Sequence, residues 1–543
     1  MREAATRVSG SRLIGVVLLM MCLAASSPGP ERSSVIVQGA DFAAVSRAVT
    51  EVGGRVTHEL EIIQAVGATL TAEQLAEVSR MPAVSRVFPN GEAAVASYGV
   101  GQHPDVTHPV LMGADRLHSE GITGWGVTVA VVDSGLSTKV ADARRVLAHF
   151  DAIHGQALPY ANSDANGHGS HVQSVILNNA TGAESGRFNG MAPEADLVMV
   201  KSFDENGRGS YADVIRGLDW VVANREAFGI RVLNLSFSAA PRSHYWDDPL
   251  NQAVMKAWQA GIVVVASAGN TGPGAMSIGV PGNVPYVVTV GAVTDNYTPD
   301  DLSDDRLAVF TAAGPTHEGF VKPDVVAAGG HILGMMRQGS RIATEHPEFH
   351  DGGSYFTMSG TSQSAAVVSG TVALMLQESP WLTPDDVKCR LVASARPAVN
   401  GEGGLAYSLF QQGAGLVNAY DAVWADASGC SNGGLEIASD LSGAQHFGGK
   451  ARQAPDGTYY IEGYAWDDGY AWDDGYAWDD GYAWDDGYAW DDGYAWDDGY
   501  AWDDGYAWDD GYAWDDGYAW DDGYAWDDAL TESVGVNSWV EQE

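Results

Sequence analysis

The sequence predicts an α/β protein with a doubly wound parallel sheet, preceded by a small α+β unit. Three observations carry that reading. Apolar runs of strand length at 127–132, 197–202, 232–237, 262–266 and 286–290 are continuous in Val, Ile and Leu rather than alternating, as in strands covered on both faces. Helical stretches at 168–179, 210–227, 249–260 and 362–377 lie between or after them, and strands alternating with helices imply parallel pairing through crossovers. Ahead of this body, residues 35–89 show the β-α-β-β-α-β order of a ferredoxin-like fold.

Within that small unit a strand at 35–38 leads to a helix at 42–52 and a turn at Gly53-Gly54. Strands follow near 56–63 and 67–70, then a second helix at 71–80 and a last strand at 84–88. Thr71 suits the cap of the second helix, with Glu73 in its first turn. A stretch of small and polar residues, 91–100, separates the unit from the body.

The chain begins with Arg2, Arg7 and Arg12 around and before an apolar run at 13–25, followed by small residues and Pro28. A basic start, a short apolar run and a small-residue end form a secretory signal peptide, expected over 1–26 with cleavage after Ala24 or Ser26. The run is too short to span a bilayer comfortably, and no later stretch reaches 18 uninterrupted apolar residues. A secreted, soluble protein without a transmembrane segment is therefore expected. Cys389 and Cys430 remain after processing. In an oxidising compartment they suggest one disulfide, closing a loop of about 40 residues and contributing about 3–4 kcal/mol; two separate thiols are the alternative. The formal net charge of −42 makes nucleic acid and anionic membranes poor partners, because phosphate binding needs clustered Lys and Arg.

Four segments carry the chemistry. The first long strand ends V-A-V-V-D-S-G, with Asp133 at its carboxyl edge. His168 opens a helix in N-G-H-G-S-H-V, and Ser362 opens another in M-S-G-T-S-Q-S-A-A. Asn270 follows a buried strand in V-A-S-A-G-N. In a doubly wound sheet these strand ends and helix starts converge on one edge. A serine nucleophile needs a base within reach, and the imidazole needs a carboxylate to fix its tautomer. The Asn270 amide and the Ser362 backbone N–H can donate to a developing oxyanion.

On these segments, in the order Asp, His, Asn, Ser, the chain resembles the subtilisin-like (S8) serine peptidases. G-M-A-P-E-A-D (190–196), V-L-N-L-S-F-S (232–238) and K-P-D-V-V-A-A-G (322–329) match as well. The resemblance covers roughly 35–425 and implies a subtilisin-like three-layer catalytic domain. It implies a triad of Asp133, His168 and Ser362, with Asn270 as oxyanion donor. Ser236, Phe237 and Ser238 would form an edge for an extended peptide, facing a wall of Ala266, Ser267, Ala268 and Gly269. It further implies protein or peptide substrates, no cofactor for the chemistry, and an inhibitory propeptide at 35–98 ahead of a peptidase domain at 101–428. The cut between them is expected between about Asn90 and His103, with Tyr98-Gly99 as the candidate bond. The family often binds structural calcium, but the sequence picks out no metal ligands: Asp115, Asp164 and Asp196 read as turn or surface carboxylates. His171 fails the H-E-x-x-H zinc pattern and reads as structural. Departures from the family pattern are Ser134 and Ser170 in place of Thr, Gln363 in place of Met, Ala366 in place of Pro, and the Phe237-Ser238 pair at the cleft edge.

After a linker expected at 429–462, eleven unvaried copies of G-Y-A-W-D-D run from Gly463 to Asp528, followed by a tail at 529–543. The repeats hold 22 Asp and no cation, so self-repulsion favours an extended, disordered spacer. An even period would set Tyr, Trp and the second Asp on one face of an extended chain. The alternative expectation is therefore a surface that contacts glycans or the cell surface, and with it an adhesion protein whose peptidase domain serves processing.

Overall fold

The computed structural model describes residues 32–95, 105–136, 143–158, 163–298, 304–401 and 403–462. The expected signal peptide, residues 96–104, the repeats and the tail after them lie outside the described residues.

The small unit has the predicted order. Strands Arg32–Gln38, Arg55–Leu60, Ala65–Thr71 and Arg86–Pro89 form an antiparallel sheet in which the third strand sits between the second and the first, and the fourth closes the other edge. Helices Phe42–Glu51 and Ala72–Val78 enclose a core of Val37, Val45, Val49, Val66 and Leu70. Asp41 caps the first helix and Thr71 forms a capping box with Gln74 on the second, each satisfying orphan N–H groups. The other sheet face places Ile36, Leu60, Ile63 and Phe88 in the core of the body.

The body is built on one large sheet. Its order is Arg306–Leu307, Val288–Thr294, Val263–Ser267, Ile230–Leu235, Thr128–Asp133, Asp196–Lys201, Val146–Asp151 and Gln156–Ala157, with Val325–Ala328 also paired to Val288–Thr294. The central pairings are parallel, and only the short strands Arg306–Leu307 and Gln156–Ala157 run antiparallel. Thr361–Glu378 lies across the middle of the sheet and packs on His168–Leu177, while Tyr211–Ala223 and Pro249–Gln259 pack together as further cover. Thr128–Asp133 is buried along its whole length, as its unbroken apolar run requires.

The segment 429–462, expected to be a linker, is instead folded onto the body. Cys430 is bonded to Cys389, with the Cα atoms 5.2 Å apart. Helix Ile437–Ser442 and a hairpin of Ala451–Gln453 with Tyr459–Ile461 follow. Its Gly/Ser-rich composition reads as a spacer, but the groups that anchor it lie far back in the chain. No helix among the described residues is long and apolar enough to cross a membrane.

Candidate active site

Asp133 ends the central strand, and His168 is the first residue of its helix. The helix starts there because Gly167 caps it at φ +108°, a conformation that favours glycine. A Cβ on Gly167 would also press on Met336 and Ser340. His168 Nδ1 lies 2.8 Å from Asp133 Oδ1 and 3.0 Å from Oδ2, with both side chains shut off from solvent. The Asp133 carboxylate also accepts from the Ser134 N–H at 2.7 Å.

Around this pair is a brace that the sequence did not reveal. Asp164, expected at a turn or on the surface, is 2% exposed. Its Oδ1 accepts from Ser134 Oγ (2.9 Å) and the Gly167 N–H (2.8 Å), and its Oδ2 accepts from Ser170 Oγ (2.6 Å) and the Ser170 N–H (2.8 Å). Ser134 Oγ in turn accepts from the Gly169 N–H at 2.9 Å. One carboxyl group thus ties the strand end beside Asp133 to the helix start at His168. Ser134 and Ser170 are two of the departures from the family pattern, and both keep the hydroxyl that this brace uses. The bonds span 30 and 6 residues, which no local pattern encodes.

Ser362 sits in the first turn of Thr361–Glu378, fully buried. Its hydroxyl donates to the Ser236 carbonyl at 2.9 Å, and its own carbonyl accepts from Ser236 Oγ at 2.9 Å. Ser236 Oγ accepts from Asn234 Nδ2 (2.8 Å), and Asn234 Oδ1 from Ser369 Oγ (2.9 Å). The edge of the cleft is thereby fixed to the helix that carries the serine. The Asn270 Oδ1 accepts from the Thr361 N–H (3.0 Å) and hydroxyl (2.8 Å). With its oxygen so held, the amide has its NH2 group to offer as donor.

His171 is structural, as expected. Its Nε2 faces the carbonyls of Ile332 (3.1 Å) and Phe356 (3.0 Å), and its Nδ1 meets Gln363 Nε2 at 3.4 Å. Burial, reinforced by His168, pushes its pKa down to about 3, so the ring stays neutral.

The cleft residues divide. Phe237 is fully buried, its ring 5.2 Å from that of Phe203, and Ala266 lies in the core. Strand alternation turns the Phe237 side chain inward, while its backbone pairs with Val95 as an edge strand would. Ser236, Ser238, Ser267, Ala268 and Gly269 remain at the junction of the two walls, where Ser267 Oγ donates to the Phe237 carbonyl at 3.0 Å. Along the edge Phe237–Ser238 runs Glu92–Val95. It pairs antiparallel with Arg208–Ser210 on one side and with Phe237–Ser238 on the other. Glu-Ala-Ala-Val has little intrinsic strand preference, so the two edges make it a strand. Among the described residues no cluster of three or more His, Cys, Asp or Glu is placed to hold a metal ion.

Comparison with known proteins agrees with this geometry. The model of the subtilase family, peptidase S8, matches residues 124–415. Serine protease AprX of Bacillus subtilis is 38% identical over 307 residues, covering 56% of this chain and 67% of the relative. Subtilisin E of Bacillus subtilis is 30% identical over 412 residues, 74% of this chain and 92% of the relative. In fold, the chain is similar to fervidolysin from Fervidobacterium pennivorans, with a TM-score of 0.59 at 24% identity over 73% of this chain and 61% of that one. The chain belongs to the subtilase family of serine peptidases.

Proposed function

We propose that this chain is a secreted serine endopeptidase made as an autoprocessed zymogen, with Asp133, His168 and Ser362 as its triad and Asn270 as oxyanion donor. The observation that carries the reading is the buried His168–Asp133 bond at 2.8 Å on the helix that packs against the one bearing Ser362. Asp133 fixes the proton on Nδ1, which makes Nε2 the basic nitrogen. The Ser362 hydroxyl exchanges its acceptor, from the Ser236 carbonyl to that nitrogen, as a substrate carbonyl arrives. Nε2 takes the proton while Oγ bonds to the carbonyl carbon. The resulting oxyanion is met by the Asn270 amide and the Ser362 N–H. On collapse the carbonyl re-forms, the C–N bond breaks and the imidazolium gives its proton to the leaving amine, and water repeats the sequence on the acyl-enzyme. Burial makes these fixed dipoles count for more than they would in water.

Residues 32–95 act in this reading as the inhibitory propeptide. Its support is the strand Glu92–Val95, paired antiparallel with the cleft edge Phe237–Ser238 as an extended substrate would be. Ser362→Ala tests both halves. Casein hydrolysis should disappear, and the purified chain should keep its N-terminal unit uncut. Wild-type hydrolysis by this variant would refute the assignment.

A further inference from the structure

In the reading proposed above, the side chain of the residue whose carbonyl is attacked enters the space between the edge Phe237–Ser238 and the wall 267–269. Two glycines border that space. A Cβ built on Gly279 would overlap Ser238 Oγ, and one on Gly269 would lie 3.0 Å from the same oxygen and 3.6 Å from Ala312 Cβ. The Ser238 side chain thus occupies the room that the bare backbones of Gly269 and Gly279 leave open. The three pieces are locked in register. The Gly279 N–H donates to the Ala268 carbonyl at 3.0 Å, and Ala239 and Val280 exchange both backbone bonds, at 2.9 and 2.8 Å. Behind them Ala268, Ile278 and Ala312 form a closed apolar cluster, so the pocket cannot deepen without disturbing packing.

We infer that Ser238 restricts the enzyme to peptide bonds that follow a small side chain, such as Ala or Ser. The inference rests on Ser362 being the nucleophile.

Peptide anilides differing only in their last residue, Ala or Phe, test this on the processed enzyme. Wild type should favour Ala in kcat/KM by roughly tenfold or more, the scale at which a pocket of fixed size discriminates. Ser238→Gly should raise the Phe-to-Ala ratio by roughly tenfold, with Ser238→Ala between the two. Equal use of both anilides by wild type, or a ratio unmoved in both variants, would overturn the inference. Cleavage of either anilide by Ser362→Ala would instead overturn the nucleophile assignment beneath it.

Discussion

The two segments that flank the body hold to it in different ways. Residues 32–89 fold around a core of their own and dock a second sheet face, Ile36, Leu60, Ile63 and Phe88, on the body. Around that face runs a rim of polar pairs. His58 Nε2 meets Asp213 Oδ1 at 2.6 Å, Gln38 donates to Gln252 at 2.5 Å, Arg216 donates to the Thr57 carbonyl at 3.1 Å, and Arg86 meets Asp247. Residues 429–462 instead give Leu435, Ile437 and Leu441 to the body's core and are tied by the Cys389–Cys430 bond. Asp440, buried, accepts from the hydroxyls of Tyr245 and Tyr286, both at 2.7 Å, and faces His446 Nδ1 at 2.9 Å. Trp246 is stacked between His244 and His446, with ring centroids 4.4 and 4.6 Å away. A unit with its own core can part from the body and stay folded. A segment without one must be fastened, and this one is.

The largest effect is expected where the fastening is buried. Asp440→Ala leaves two phenols and an imidazole without their shared acceptor. Burial, and then Asp440, holds both tyrosine hydroxyls far above their ordinary pKa, so they remain donors that need a partner. At 1–3 kcal/mol for each buried group left unsatisfied, and with the Phe447 carbonyl still 3.3 Å from the Tyr245 hydroxyl, the loss should be about 2 kcal/mol. Denaturant unfolding of Asp440→Ala, made in a Ser362→Ala background to prevent self-digestion, measures it. An unchanged midpoint would show that the C-terminal segment is held by its apolar contacts alone.

The contrast also marks what the sequence could and could not reveal. Elements that bury a face locally were legible. The Val/Ile/Leu runs placed the central strands within about two residues of Thr128–Asp133, Asp196–Lys201, Ile230–Leu235 and Val263–Ser267, while Val288–Thr294 runs four residues past the expected end. Asp133, His168, Ser362 and Asn270 stood out as candidates because their motifs are short and local, and the structure joins the first two at 2.8 Å. What depends on distant partners was not. Asp440 lies 195 residues from Tyr245 and 154 from Tyr286, so 429–462 read as a linker. Asp164 read as a surface group because its donors come from two separate motifs. Glu92–Val95 became a strand only through the edges that receive it.

A smaller effect is expected at the rim of the N-terminal unit. Exposed or part-exposed ion pairs contribute about 0.2–1 kcal/mol each. His58→Ala combined with Arg86→Ala, introduced into the separately made unit, should weaken its inhibition of the mature enzyme in trans by roughly three- to tenfold. The unfolding of the unit itself should be unaffected, since neither side chain belongs to its core. A loss of the unit's own stability would mean that rim and core are not independent.

The smallest effect is a pH dependence of that same docking. Asp219, on helix Tyr211–Ala223, faces the turn Glu61–Ile63 of the N-terminal unit. Burial first, and then the Glu61 charge, raises its pKa from the usual 3.8 to about 6, against a hydrogen bond from the Ile62 N–H that lowers it. A carboxyl whose pKa rises on docking takes up a proton as the unit binds. Its contribution to docking is therefore full below the undocked value and is lost as pH rises through the docked one. Affinity should fall between about pH 4 and about pH 6.5 and level off above that. Asp219 is partly open to solvent, so the change should be several-fold rather than the hundredfold that two full pH units would give. Gel filtration of the processed complex across this range, with and without Asp219→Asn, separates this carboxyl from other titrating groups. The variant should lose the step, because Asn carries no proton to release. Retention of the whole step in Asp219→Asn would assign it to another group at the interface.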